Sequence, residues 1–79
     1  MRITVLYFAR LKQDAGLAEE SVEMEGSTVR ELYTQCQSLH ALSHRFEDMR
    51  AATNDAFCDG DTLLKNGDTV AFMPPMSGG

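Results

Sequence analysis

Cationic side chains are scarce in this chain: seven Lys plus Arg stand against twelve Asp plus Glu, for a net charge of −5. That balance argues against nucleic acid as a partner, because binders of nucleic acid neutralise phosphates with Lys and Arg and gain from the counterions released. It equally disfavours anionic lipid surfaces. Two readings of the acidity stay open: a basic protein partner met through complementary charge, and plain solubility. Long apolar runs are missing too. No stretch approaches the roughly 20 apolar residues that cross a bilayer. Arg10 and Lys12 interrupt the N-terminal apolar segment, so no secretory signal is expected. The expectation is a soluble, cytoplasmic protein without membrane contact.

Cysteine is limited to Cys36 and Cys58, with no Cys-x-x-Cys arrangement. This leaves a single disulfide open and supports neither a metal site nor a redox pair. Cys36 falls on the apolar stripe of a helix, where free cysteine behaves as a small hydrophobe. His40 and His44 are spaced to share a helix face, but no third ligand of matching spacing accompanies them. Asp59, Asp61 and Asp68 belong to separate turn motifs rather than to one calcium-binding loop. Nothing assembles a general acid with a base, or a nucleophile with a positioned base. The chain is expected to bind no metal and no cofactor by itself.

What is there fits one domain of 79 residues, with no internal repeat, low-complexity run or linker. A chain this short buries only roughly 60–65% of its unfolded surface, so its core must be efficient. Ile3 to Phe8 is β-branched and aromatic throughout and reads as a central strand covered on both faces. Residues 9–19 form a polar connection carrying a helical turn that Gly16 stops. Ser21 to Glu25 alternates polar with apolar, as a half-exposed strand does, and ends at Gly26. Thr28 with Glu31 is a capping box. Val29, Leu32, Tyr33 and Cys36 come next at helical spacing, with Leu39 and Leu42 extending the stripe. Phe46 and Met49 suit a short lid within the polar segment 43–50. Ala51 to Cys58 reads as two short strands turning at Asn54-Asp55. Asp59-Gly60-Asp61 and Asn66-Gly67-Asp68 are turns, Leu63-Leu64 anchors the loop between them, and Lys65 is a solvated turn residue. Thr69 to Met73 is the last strand, closed by Pro74-Pro75 because neither proline donates a ladder hydrogen bond.

Strands around one long helix give an α+β layer. The first two strands suit antiparallel pairing, and the first and last form a central parallel pair. That is a β-grasp (ubiquitin-like) arrangement: a mixed sheet of four to five strands with one main helix packed across it. Residues 1–74 form the folded unit and 75–79 a flexible Gly-Gly tail. Leu6 and Phe8 point away from the face of Ile3, Val5 and Tyr7, so one set covers the helix side and the other is a candidate patch.

The tail Pro75-Met76-Ser77-Gly78-Gly79 is the least expected feature. Glycine loses the most conformational entropy on ordering, so two at an end are not there to stabilise a fold. Frayed ends and flexible linkers also carry glycine, but Pro74-Pro75 stiffens the exit in polyproline geometry. Five extended residues from Pro75 reach roughly 16 Å at about 3.3 Å each. A rigid exit leading into small residues suits entry into another protein's narrow channel, with the Gly79 carboxylate as the group that works there. Without a Cβ beside it, that carbonyl can be approached closely, activated as an acyl-adenylate and converted to a thiocarboxylate. Threading the arm into a partner makes sulfur delivery effectively intramolecular.

The run from Gly67 to Gly79, Gly-Asp-Thr-Val-Ala-Phe-Met-Pro-Pro-Met-Ser-Gly-Gly, resembles the C-terminal signature of the molybdopterin synthase small-subunit family. Val5 to Arg10 resembles that family's opening strand, and Ala52-Thr53-Asn54 its middle strand and turn. Two positions depart from the pattern, Thr53 in place of an aliphatic residue and Met73 in place of an aromatic one. The resemblance implies a β-grasp fold and a non-catalytic sulfur-carrying subunit whose Gly79 is adenylated and then thiocarboxylated, with Gly78 beside it in the tail. It implies sulfur donation to precursor Z (cyclic pyranopterin monophosphate) in molybdenum cofactor biosynthesis. The implied partners are a large catalytic subunit, joined in a heterotetramer, and an E1-like adenylyltransferase and sulfurtransferase that consumes ATP. Phe8, Phe57 and Met73 match the family's apolar docking positions, with Pro74, Pro75, Met76 and Ser77 continuing the contact along the tail. The alternatives are a carrier for the thiazole of thiamine or another thiolated product, a ubiquitin-like protein modifier, and a plain β-grasp binding module.

Overall fold

The structure, a computed structural model, describes residues 1–75; the tail positions Met76, Ser77, Gly78 and Gly79 lie outside the described residues. In chain order the elements are β1 (Arg2–Tyr7), α1 (Ala9–Ala15), β2 (Glu19–Glu23) and α2 (Val29–His40). Next come a 3-10 turn (Phe46–Asp48), β3 (Arg50–Thr53), β4 (Ala56–Cys58) and β5 (Thr69–Met73). The strands form one sheet in the order β2-β1-β5-β3-β4. β1 runs antiparallel to β2 and parallel to β5, while β3 runs antiparallel to both β5 and β4. This mixed sheet with its main helix across one face is the β-grasp fold, with the central parallel pair where the sequence places it.

Strand alternation decides which side is buried. Ile3, Val5 and Tyr7 of β1, Val22 of β2, Ala51 of β3 and Val70 and Phe72 of β5 point to the helix side and are buried. Thr4 and Leu6 on the other face are only half-buried, so β1 is covered on one face, not both. The expectation failed because its apolar opposite face has no second layer over it. Phe8 lies beyond the strand: Ala9 takes a left-handed φ of 51° and turns the chain into α1. α1 ends at Gly16, whose φ of 79° supplies the left-handed cap. β2 begins two residues earlier than its alternation suggests, because the β1 ladder from Arg2↔Glu23 to Leu6↔Glu19 sets its length.

The Thr28 hydroxyl accepts from the Glu31 backbone N–H while the Glu31 carboxylate accepts from the Thr28 N–H, completing the capping box. Val29, Leu32, Tyr33 and Cys36 are buried against the sheet, and the Tyr33 and Phe72 rings meet edge-on at 5.0 Å. Leu42 joins the core, but Leu39 is 60% exposed. Two positions explain the split. The helix ends at His40 and Ala41 turns left-handed, which swings Leu42 inward and leaves Leu39 on the outer side. Leu64 is likewise buried whereas Leu63 is 71% exposed. Phe46 and Met49 pack on the core edge, as a lid would. Asn54 and Asp55 carry φ of 50° and 73°, the mirror-image turn that joins short antiparallel strands.

Candidate functional site

The face away from the helices is apolar where β1, β5, β3 and β4 meet. Leu6, Phe8, Ala52, Phe57, Ala71 and Met73 line a shallow concavity there, with Asp55 at its rim. The register explains the gathering: Leu6 pairs with Ala71, Ala71 with Ala52, and Ala52 with Phe57, so all four project to one side. Phe8 reaches the same surface from the turn after β1, with 46% of it exposed, and Phe57 is 67% exposed. The three docking positions named from sequence, Phe8, Phe57 and Met73, thus share one surface. Leu6, which strand alternation already placed on the candidate patch with Phe8, forms its floor with Ala52 and Ala71; those two were not singled out from sequence, although strand parity identifies them.

A second groove adjoins the first and shares Phe57 and Met73 with it. Pro74 and Pro75 form one wall, and His44, Met49 and Arg50 contribute others. Strand pairing ends at Met73, which faces Arg50, so the prolines leave the sheet beside this groove. The Arg50 guanidinium lies over the Phe57 ring, 5.3 Å from its centroid. The two acidic residues in the groove are already engaged: Glu47 pairs with Arg30 at 3.0 Å and Asp48 with Arg45 at 3.0 Å. The Arg45 guanidinium holds the Asp48 carboxyl below its usual range. His44 is held by its backbone, whose carbonyl accepts from the Tyr33 hydroxyl at 2.6 Å.

Other candidates resolve into packing and turns. His44 lies past the end of α2, so it does not share a helix face with His40. His40 instead meets the carboxylate of Glu20 through Nε2 at 2.5 Å, and the Tyr7 hydroxyl donates to the same oxygen at 2.6 Å. Among the described residues no group of three or more His, Cys, Asp or Glu is placed to hold a metal ion. Cys36 and Cys58 are free thiols. Burial pushes the Cys36 thiol up to about 11, whereas the Cys58 sulfur contacts the Thr53 hydroxyl at 3.1 Å. Asp59 accepts from the Asp61 backbone, and Asp68 from the Lys65 backbone and the Asn54 side chain, so each acid closes its own turn. Gly79, Gly78, Ser77 and Met76 lie outside the described residues. No described helix is long and apolar enough to cross a membrane.

The model of the ThiS family matches residues 5–79. The molybdopterin synthase sulfur carrier subunit of Chlamydomonas reinhardtii is 36% identical, with 100% of each chain covered. A chain in the complex of subunits 1 and 2 of the molybdopterin-converting factor from Helicobacter pylori 26695 is 25% identical. It superposes with a TM-score of 0.69 and full coverage of both chains. SAMP1 from Haloferax volcanii superposes with a TM-score of 0.84 over the whole of both chains but is 21% identical, a likeness of fold alone. Family match, relatives and fold agree: the chain belongs to the ThiS family of ubiquitin-like β-grasp proteins, alongside relatives named as sulfur carrier subunits of molybdopterin synthase.

Proposed function

We propose that the chain is the sulfur carrier of molybdopterin synthase and that the Gly79 carboxylate is its working group. On an E1-like partner, a Gly79 carboxylate oxygen attacks the α-phosphorus of ATP and pyrophosphate leaves. A sulfide-level donor then adds to the acyl carbonyl; a C–S bond forms, the C–O bond to AMP breaks, and AMP departs. The thiocarboxylate so formed is a nucleophile on a protein arm. Carried to the large subunit within a heterotetramer, its sulfur forms a C–S bond to a side-chain carbon of precursor Z as an oxygen substituent leaves that carbon. Water then cleaves the acyl C–S bond, which leaves the sulfur on the pterin and returns the Gly79 carboxylate. The catalytic groups belong to the partners.

The observation that carries this reading is the position of Met73. It belongs to the apolar concavity with Phe8 and Phe57, and it is also the residue from which Pro74 and Pro75 leave the sheet. Docking through the concavity therefore sets the root of the tail against the partner's surface, and the stiff proline pair aims the tail. Exposed apolar surface of this kind marks interaction sites, and its aromatic members are typical anchors.

Intact-mass measurement tests the proposal. With ATP, an adenylating enzyme and a sulfur donor, the chain should gain the mass difference between one sulfur and one oxygen atom. An unchanged mass, under conditions that thiolate a known carrier, overturns it. Adding the large subunit and precursor Z separates the pterin pathway from a thiazole carrier. Recovery of lysine-linked conjugates in place of thiocarboxylate points to a modifier instead.

A further inference from the structure

Arg50 is the exception among the five arginines of this acidic chain. Arg2 pairs with Glu23, Arg10 with Asp14, Arg30 with Glu47 and Arg45 with Asp48. Arg50 has no carboxylate partner among the described residues, although Glu47 and Asp48 border the same groove. Its guanidinium lies instead on the face of the exposed Phe57 ring, beside Met73. A planar guanidinium stacked on an aromatic ring keeps its donor edges free to meet a carboxylate in bidentate fashion.

We propose that Arg50 is a specificity residue of the docking face, matched to a carboxylate that the large subunit presents next to the Phe57 pocket. The inference rests on the carrier reading above and adds the chemistry of the complementary group. When a partner covers Phe57, the cation on its ring loses water with it. A desolvated guanidinium without an anion is strongly unfavourable, so a cognate surface must supply one there. The chain as a whole, at −5, repels acidic surfaces. One cation at the root of the tail therefore sets register: an acid opposite Arg50 is accepted and an acid elsewhere on the interface is penalised.

Titration of the full chain with the large subunit from the same organism, at low and at high salt, tests this. Arg50→Glu should weaken binding on the order of thirtyfold or more, and Arg50→Gln by less. The deficit should shrink as salt rises, and thermal unfolding of the free variants should match the parent. Exchanging the facing acid of the large subunit for arginine should restore affinity to Arg50→Glu. If Arg50→Glu binds as tightly as the parent while Phe57→Ser does not, the Arg50 assignment is wrong and docking stands. If Phe57→Ser also binds normally, the docking face itself is wrong and the inference goes with it.

Discussion

Arg50 and Met73 face each other as register partners across the β3–β5 ladder, which sets a cation and a thioether side by side where the chain leaves the sheet. Phe57 completes the group from β4. Because that ring is mostly exposed, Phe57→Ser should change folding stability by no more than about 0.5 kcal/mol, the range of ordinary surface substitutions. Affinity for the large subunit should fall by roughly tenfold or more, as for an aromatic anchor at an interface centre. Calorimetric unfolding and binding titration on the same samples check both halves. A stability loss matching the binding loss would mean that Phe57 is structural.

Removing Gly79 should abolish sulfur transfer and leave unfolding within about 0.5 kcal/mol of the parent. Single-turnover conversion of precursor Z measures the first, and chemical denaturation the second. A truncated chain that still becomes thiocarboxylated would move the working carboxylate elsewhere.

Alkaline stability is set by the core. Burial raises the Cys36 thiol from 9.0 to about 11 and the Tyr33 hydroxyl from 10.0 to about 12. Both are neutral in the fold and ionise sooner in the unfolded chain, so folding is favoured by their contribution below about pH 9. That contribution drains away between about pH 9 and 11 for Cys36, and between about 10 and 12 for Tyr33. The melting temperature should therefore decline over this window, and Cys36→Ala should flatten its first part. Iodoacetamide should label half-buried Cys58 in the native protein well before fully buried Cys36. Equal labelling rates would contradict the packing.

At the N-terminus of α2, Thr28→Ala removes the side-chain cap and should cost about 1 kcal/mol in urea unfolding. The backbone N–H groups of Ser27 and then Thr28 hold the Glu31 carboxyl below its usual 4.5. A depressed carboxyl stabilises the fold above its unfolded value and stops doing so as pH falls through the folded one. Acid unfolding of Glu31→Gln should therefore lose part of the parent's steepness below about pH 4.5.

The fold was legible wherever local chemistry is strong. Thr28 with Glu31 marked the helix start, Asn54-Asp55 the hairpin, and Asn66-Gly67-Asp68 with Pro74-Pro75 both ends of β5. Errors arose where tertiary context decides. Leu39 and Leu63 look like core by type and spacing, but Ala41 ends the helix register and Leu63 pairs with Thr28 only through an isolated bridge. β1 looked two-sided because its apolar residues cannot tell a second layer from an apolar face left uncovered. The apolar positions of the site were visible by type and parity. Arg50 was not, since its place beside Met73 depends on β3 lying antiparallel to β5, a pairing that brings together residues far apart in sequence.

The position of β5 between β1 and β3 also has a mechanical consequence. A strand held along both edges resists traction in shear, with the hydrogen bonds of two ladders sharing the load rather than peeling one by one. Force applied beyond Pro75, as when a threaded end is drawn into or out of a tight channel, is thus delivered to the best-braced part of the sheet. An edge strand such as β2 or β4 in that role would have one ladder in place of two to bear the same pull.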